Sequence, residues 1–422
     1  FEISGSQLIF IQKCMVGGRT MTCENKMFNF TGGNGIDLDD LDAVSLYPSA
    51  MKRMGGYLLG QPKVLRNKTY EFLQSIDGYF IEITITKVGI NKKFPLMSYI
   101  TEDGIRLWTN DMVGRTMFVD KFALEDLIEF QEVEFNIDRG YYYNEGRNYN
   151  IGKTIEHLFQ TRLAMKKKKN SIEQVYKLLM NSAYGRTLLK PFEDEKVYVS
   201  AKNCDKHLIR HYDSIKMVQE LHDNSFEITQ QKAIIDHYNL AHIGCEVLSM
   251  SKRIMNELMC LAEDIGVNIY YQDTDSTHTP VKDIPALKIA YFKKYGRELE
   301  GNNMGQFNCD FDSKKLKGKI RSVESVFLGK KCYVDKLQGD EEGVFDYHIR
   351  MKGVSGDAIA DKLLEEGIDV VELYDRLFDG EAIEFDLCCR GIKSCFETMS
   401  DGTMETRKIF ARKIQFGNKD VE

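Results

Sequence analysis

The sequence predicts an α+β protein of several subdomains, and three observations carry this. Segments that alternate apolar and polar residues, such as 78–85 and 133–142, are interleaved with segments of helical period, such as 152–186 and 237–265. The chain has 422 residues, 43% hydrophobic and 29% charged, enough for a large core divided among subdomains. No apolar run is long enough to span a bilayer and no secretory leader is visible, so an intracellular, soluble protein without membrane contact is expected. Ten cysteines occur without a Cys-x-x-Cys pair or a Cys/His cluster of zinc spacing, as expected of reduced thiols. The net charge of −7 gives no global sign of an anionic partner. Basic residues do cluster at 162–169, 314–321 and 330–331, and the bland reading of each run is a solvated face.

In chain order, residues 1–35 read as strand-like and Gly-broken, with Gly17-Gly18-Arg19-Thr20 marking a close backbone approach. Gly32-Gly33-Asn34-Gly35 reads as a turn into a strand from Ile36 to Leu46, which Pro48 ends. Strands follow at 78–85 and 133–142, with an amphipathic helix between them at Phe122–Gln131. Ile155, Leu158, Phe159 and Leu163 share one helical face, as do Arg162 and Lys166. A second helix starts near Ser171, read as an N-cap with Gln174 three residues on, and runs to Tyr184. The polar stretch 191–235 holds a short strand at Lys196–Val199. His237–Ile265 is a long helix with apolar residues at Leu240, Ile243, Val247, Met250, Ile254 and Leu258. Gly266–Tyr270 reads as a strand leading into a hairpin, and Val326–Val334 as another strand. Helices at Ala358–Glu366 and Val370–Phe378 precede a strand-like stretch, Arg407–Phe416.

The chemistry concentrates in Tyr271-Gln272-Asp273-Thr274-Asp275-Ser276, where two acids sit at a hairpin tip. Residues two apart on a strand share a face, and crowded carboxylates repel unless a cation lies between them. Alone, an Asp-x-Asp is as readily an acidic turn facing water. A second acid, Asp42, lies within the apolar stretch Leu41-Asp42-Ala43-Val44-Ser45-Leu46-Tyr47-Pro48. Acids from two strand ends can hold the paired metal ions used in phosphoryl transfer. The two stretches resemble motifs A and C of the family B DNA polymerases. Lys177-Leu178-Leu179-Met180-Asn181-Ser182-Ala183-Tyr184-Gly185, between them, is similar to motif B. Met15-Val16-Gly17-Gly18 stands where the protein-primed branch carries Tyr-x-Gly-Gly, with Met15 in place of Tyr. Lys331-Cys332-Tyr333 matches the Lys-x-Tyr motif, and Lys352-Gly353 resembles the Lys-Gly segment before the thumb.

The resemblance implies a right-hand polymerase fold with palm, fingers, thumb and two insertions, TPR1-like and TPR2-like. Its expected divisions are 1–55, palm with motif A; 56–151, TPR1-like insertion and palm strands; 152–190, fingers; 191–236, TPR2-like insertion; 237–353, palm with motif C and Lys-x-Tyr; and 354–422, thumb. It implies catalysis by Asp42, Asp275 and, third, Asp273, with two Mg²⁺ ions (Mn²⁺ as substitute) on Asp42, Asp275 and the Ala43 carbonyl. Leu46, Arg162, Lys166, Lys177, Asn181 and Tyr184 are the expected nucleotide contacts, and Tyr47 the group that excludes a 2′-hydroxyl. Gly17, Gly18, Ser45, Gly185, Ser276, Lys331, Tyr333 and Lys352 are the expected DNA contacts. The implied partners are primer-template DNA, dNTPs and a terminal priming protein, with the chain a monomer in a host cytoplasm or nucleus. The long gaps between motifs A and B and between B and C fit the two insertions, hence strand displacement.

The first residue is Phe, so the chain is expected to be a piece of a longer protein whose exonuclease part lies upstream. Two other readings stay open. One is a polymerase fold without activity, serving as a DNA-binding replication scaffold, against which the intact acids argue. The other is a family B enzyme that starts from a nucleic-acid primer or from none. A metal nuclease is poorly supported, because no second acidic site is visible.

Overall fold

A computed structural model describes residues 3, 5–32, 35–188, 194–222, 224–231, 240–387, 394–398, 401–408 and 412–416. Its largest sheet is built from β1 (Thr20–Thr22), β2 (Leu38–Ala43), β3 (Tyr271–Asp273), β4 (Ser276–Pro280), β5 (Phe307–Cys309), β6 (Arg321–Gly329), β7 (Cys332–Gln338) and β8 (Phe345–Met351). The spatial order is β1-β3-β4-β2-β6-β7-β8. The pairings between these strands are antiparallel, with β5 added alongside β2 and Phe28–Asn29 alongside β6. Two strands far apart in sequence therefore lie side by side, with Asp42 opposite Ser276 on one flank and opposite Asn308 on the other.

The helices that matter are α1 (Leu46–Arg53), α2 (Asn150–Lys167), α3 (Glu173–Thr187), α4 (Ala241–Asp264), α5 (Gly356–Glu366) and α6 (Val370–Phe378). α4 is buried along nearly its whole length, polar residues such as His242, Glu246, Asn256 and Glu257 included. Its Val247, Met250, Ile254 and Leu258 share one core with Leu41 and Ala43 of β2 and with Ile155 and Phe159 of α2. The methionines here fill space between helix and sheet. α5 and α6 close a second core against β6 and β7 through Ile359, Leu373, Val326 and Val334.

Between α1 and α2 stands a four-stranded sheet ordered Lys63–Val64, Val133–Tyr143, Gly78–Val88 and Thr116–Asp120, with a core of its own. The helix Lys121–Gln131 starts where the Asp120 carboxylate accepts from the Ala123 amide. Residues 194–231 form a separate three-stranded sheet, Asp194–Ser200, Ser225–Gln231 and Ile215–His222, with the helix Ala201–His211 packed on it.

Several sequence expectations are corrected. Gly5–Lys13 is a helix, not strand-like. The strand expected from Ile36 to Leu46 ends at Ala43, because Ser45 adopts φ +51° and turns the chain. Pro48 does not terminate that strand; it lies in the first turn of α1, where its missing N–H costs nothing. Residues 267–270 are irregular, and the strand begins at Tyr271. Val326–Val334 is two strands, since Lys331 at φ +56° turns β6 into β7. α3 starts at Glu173 without a Ser171 cap, and Asn170 accepts the Ile172 amide instead. Gly33-Asn34, parts of 191–235, the start of the helix expected at His237 and residues 409–411 lie outside the described residues.

Candidate active site

β2 carries Asp42 to its C-terminal end, and the tight turn between β3 and β4 carries Asp275 beside it. The Ala43 amide donates to the Asp275 carbonyl at 2.8 Å, which fixes the backbone of one acid against that of the other. Thr274 at φ +58° makes the turn, and the Asp275 amide closes it onto the Asp273 carbonyl at 2.6 Å. Asp42 and Asp275 open into a cleft of about 870 Å³ between the sheet and α2/α3. Lys166, Lys167, Lys177, Asn181 and Tyr47 line the same cleft.

The electrostatics of the two acids is that of a site built for cations. Burial, then Asp275, Asp310 and Asp40, push the Asp42 carboxyl up to about 8, with Lys177 opposing. Burial also raises Asp275; its own amide opposes this, but Asp273, Asp40 and Asp310 carry it to about 6. Neither carboxylate has a side-chain hydrogen bond or ion pair within 4 Å among the described residues. Both are hard oxygen donors, the class that Mg²⁺ takes, and the residues present fit such an ion. Among the described residues no three Asp, Glu, His or Cys converge on one point, so the acid pair and the Ala43 carbonyl would need substrate oxygens to complete a shell.

Asp273 stands apart from the acid pair. Its strand lies two positions from β2, roughly 10 Å at normal strand spacing. Its carboxylate takes Lys331 Nζ at 2.9 Å on both oxygens and accepts from Thr20 Oγ1 at 3.1 Å. It braces the hairpin and does not face the cleft. Lys331, expected on DNA, is the other half of that pair, its side chain still half exposed. Tyr333, expected at the primer, is only 4% exposed, its ring packed against Tyr271, His278 and Phe327. Ser276 is buried in β4 beside Asp42, with 8% of its surface exposed. Lys352 is exposed next to Lys331, whose carbonyl accepts its amide at 2.9 Å.

On the helical wall, Arg162 lines the cleft as well, with its guanidinium already engaged. Its Nε donates to Glu173 at 3.0 Å and its Nη1 to Ser45 Oγ at 3.2 Å, so it ties α2 to α3 and to the turn after β2. Ser45 is thereby engaged. Lys166, Lys167 and Lys177 are exposed cations lining the cleft with the acids. Tyr47 stacks on Tyr184 with ring centroids 4.2 Å apart and planes 10° apart, a rigid floor at the cleft. Leu46 is buried at the start of α1, and Asn181 is exposed on α3. Gly185 has nothing within 4 Å of a built Cβ, and the same holds for exposed Gly17.

Three features escape sequence reasoning. Asp310, one residue past β5, adds charge at the cleft, and its amide donates to the Asp40 carbonyl at 2.9 Å. No motif marks it; only the pairing of β5 with β2 brings it in. His278 lies wholly buried beneath the hairpin, 3.0 Å from Asp335 and 3.5 Å from Asp40. Burial alone would lower it, but the two acids outweigh that and push it up to about 9. The third feature is Arg19, buried with five hydrogen-bond partners for its guanidinium behind the hairpin.

The family model for DNA polymerase type B, organellar and viral, matches residues 4–263. Among solved structures, the chain is similar to phi29 DNA polymerase complexed with primer-template DNA, at TM-score 0.63 and 14% identity over 99% of this chain. It is similar to the same phage enzyme complexed with primer-template DNA and incoming nucleotide, at TM-score 0.62 and 14% identity over 99% of this chain, and complexed with single-stranded DNA, at TM-score 0.63 with the same identity and coverage. In each case the chain spans 63% of the length of the phage structure. No curated protein sequence matches it significantly. The likeness in structure establishes a right-hand fold.

Proposed function

Because this chain belongs to the organellar and viral type B DNA polymerases, we propose that it is a template-directed DNA polymerase adding deoxynucleotides to a primer 3′-hydroxyl. The observation that carries this reading is one cleft holding Asp42 and Asp275 on one wall and Lys166, Lys177 and Asn181 on the other. The lysines offset the charge of a triphosphate, and Asn181 and Tyr184 line the nascent base pair. Tyr47, held flat by Tyr184, lies under the sugar and leaves no room for a 2′-hydroxyl. Two Mg²⁺ ions on Asp42, Asp275 and the Ala43 carbonyl would acidify the 3′-hydroxyl and neutralise the leaving pyrophosphate. Sequence is read by base pairing, so the protein needs backbone contacts only, which exposed Gly17, Lys331 and Lys352, half-buried Gly185 and the run 314–321 can supply.

We assign the large sheet with α4 to the palm, α2 and α3 to the fingers, and the residues after 353 to the thumb. The four-stranded unit after α1 stands as the TPR1-like insertion and 194–231 as the TPR2-like one. Two insertions of this kind support a protein-primed enzyme that displaces the strand ahead of it, with a terminal protein as partner.

Primer extension on a primed single-stranded template, with Mg²⁺ and dNTPs, tests the reading. Asp42→Asn and Asp275→Asn should each abolish incorporation while DNA binding persists. Extension that survives either substitution, or none by the intact chain with DNA bound, sinks the catalytic reading and favours a scaffold.

A further inference from the structure

The Gly17-Gly18 loop reads from sequence as a DNA contact, but its two glycines face different things. Gly17 is exposed with nothing near a built Cβ. Gly18 faces inward: a Cβ there would lie 2.6 Å from Thr274 Cγ2, 3.1 Å from its Cβ and 3.2 Å from its Cα. Gly18 has no positive φ, so what demands glycine is space against the turn that bears Asp275. The contact is reinforced on its far side, where the Thr274 amide donates to the Arg19 carbonyl at 2.9 Å.

The loop itself is held immobile. Arg19 is 3% exposed, and its guanidinium donates to Gln272 of β3 at 2.5 Å and to Asn256 of α4 at 3.1 Å. The same group donates to the carbonyls of Phe94 at 3.1 Å and Pro95 at 2.9 Å, in the long segment between α1 and α2. Lys252 of α4 holds the Val16 carbonyl on the other side of the two glycines. β1 then pairs with β3 directly, Thr20 opposite Asp273. A loop pinned at both ends and pressed against a two-residue turn dictates where that turn sits.

We propose that Gly18 and Arg19 are positioning residues for the catalytic turn: the loop is a mould that sets Thr274-Asp275 and thereby the placing of Asp275 opposite Asp42. This rests on reading Asp275 as a metal-binding acid. It separates the two glycines, with Gly17 left to the template and Gly18 to the site.

The test is Mn²⁺ binding by electron paramagnetic resonance, with DNA and dNTP present, alongside DNA affinity by anisotropy and single-nucleotide incorporation. Gly18→Ala drives a methyl into Thr274 and should weaken Mn²⁺ binding about tenfold with DNA affinity unchanged, as overpacking displaces its neighbour. Thr274→Gly removes the atoms that the methyl meets and suits the left-handed turn. The double variant Gly18→Ala/Thr274→Gly should therefore recover Mn²⁺ affinity to that of Thr274→Gly alone. Gly17→Ala should lower DNA affinity and leave Mn²⁺ binding unchanged. A Gly18→Ala chain that loses DNA affinity instead, or a double variant that recovers nothing, overturns the proposal. Should Gly18→Ala fail to fold, Thr274→Gly decides: about threefold weaker Mn²⁺ binding at an unchanged melting temperature supports the mould, and unchanged binding overturns it. A wild-type chain that binds Mn²⁺ but incorporates nothing removes the polymerase reading and leaves the positioning claim standing; one that binds no Mn²⁺ removes both.

Discussion

At the scale of single residues, the acid pair makes the metal-free chain sensitive to pH in a direction that can be worked out. Asp42 titrates near 3.8 when unfolded and is pushed up to about 8 when folded. The native state therefore holds a proton that the unfolded state has released, and stability falls as pH rises between those values. Asparagine at position 42 has no such term. The melting temperature of Asp42→Asn should match wild type near pH 4 and exceed it increasingly up to pH 8, with metal chelated; a constant offset across that range would refute the coupling. Saturating Mg²⁺ should narrow the gap at pH 8 by binding the ionised native form. Tyr47 makes a second prediction. Tyr47→Ala should admit ribonucleotides, and Tyr184→Ala should do so more weakly by freeing the Tyr47 ring, as competitive incorporation of dNTP against rNTP would measure. Unchanged sugar selectivity in Tyr47→Ala removes it from the gate. Asp42 is legible in the sequence because an acid inside an apolar strand contradicts its surroundings, and Asp275 because two acids crowd one hairpin tip. Asp310 is not, because its place depends on a three-residue strand pairing with one some 270 positions earlier, and no local pattern encodes that. Tyr333 misleads for a related reason: a Tyr at a strand position packs inward or outward by register, and here it joins the aromatic layer.

At the scale of elements, α4 is the beam on which the other pieces are hung, and its polar residues are spent on that task. Glu246 is wholly buried and takes both amino groups of Arg147, at 2.8 and 2.9 Å. The same guanidinium donates to the carbonyls of Gly56 and Asp77, tying the segment between α1 and α2 to α4. Removing one member of such a pair leaves a buried charge without its counter-ion, at a cost of about 3–5 kcal/mol. Glu246→Ala should lose that much in urea unfolding, and Glu246→Ala/Arg147→Met should recover part of it. A loss below ~1 kcal/mol would mean that water replaces the pair. The helix itself, the strands at 78–85 and 133–142, and α6 are legible because each sustains one periodicity over several turns or pairs. The failures fall at short range. The β6–β7 hairpin turns through Lys330-Lys331 without Gly or Asn at the left-handed position, so the run reads as one strand. Gly5–Lys13 has mixed apolar residues and a weak stripe, and becomes a helix by packing Leu8 and Ile11 on its neighbours.

At the scale of the whole molecule, the net charge is negative while the proposed substrate is a polyanion, so binding must rest on local cation clusters arranged around one cleft. The unit 194–231 is where shape, more than charge, matters. It has its own three-stranded sheet, and its helix packs on that sheet. Asp194 and Gln231 are direct partners in the antiparallel register, so the unit leaves and rejoins the chain at points roughly 5 Å apart. An element with this geometry can be removed without stretching the rest, and a bridge of two or three Gly/Ser residues spans the gap. Nothing in the acid pair, the Tyr47–Tyr184 stack or the cations of α2 and α3 belongs to it. Replacing 194–231 by such a bridge should therefore leave extension on an open single-stranded template within about threefold of wild type, since none of the groups that meet substrate is touched. If the unit helps enclose DNA and part the duplex, the shortened chain should stall where a downstream strand begins and should release template sooner when challenged with a trap. Filling a gap to its end and then halting there is the outcome expected. Continued synthesis through the duplex at the wild-type rate would move strand displacement to another element, and loss of extension on the open template would mean that the unit supports the catalytic cleft itself.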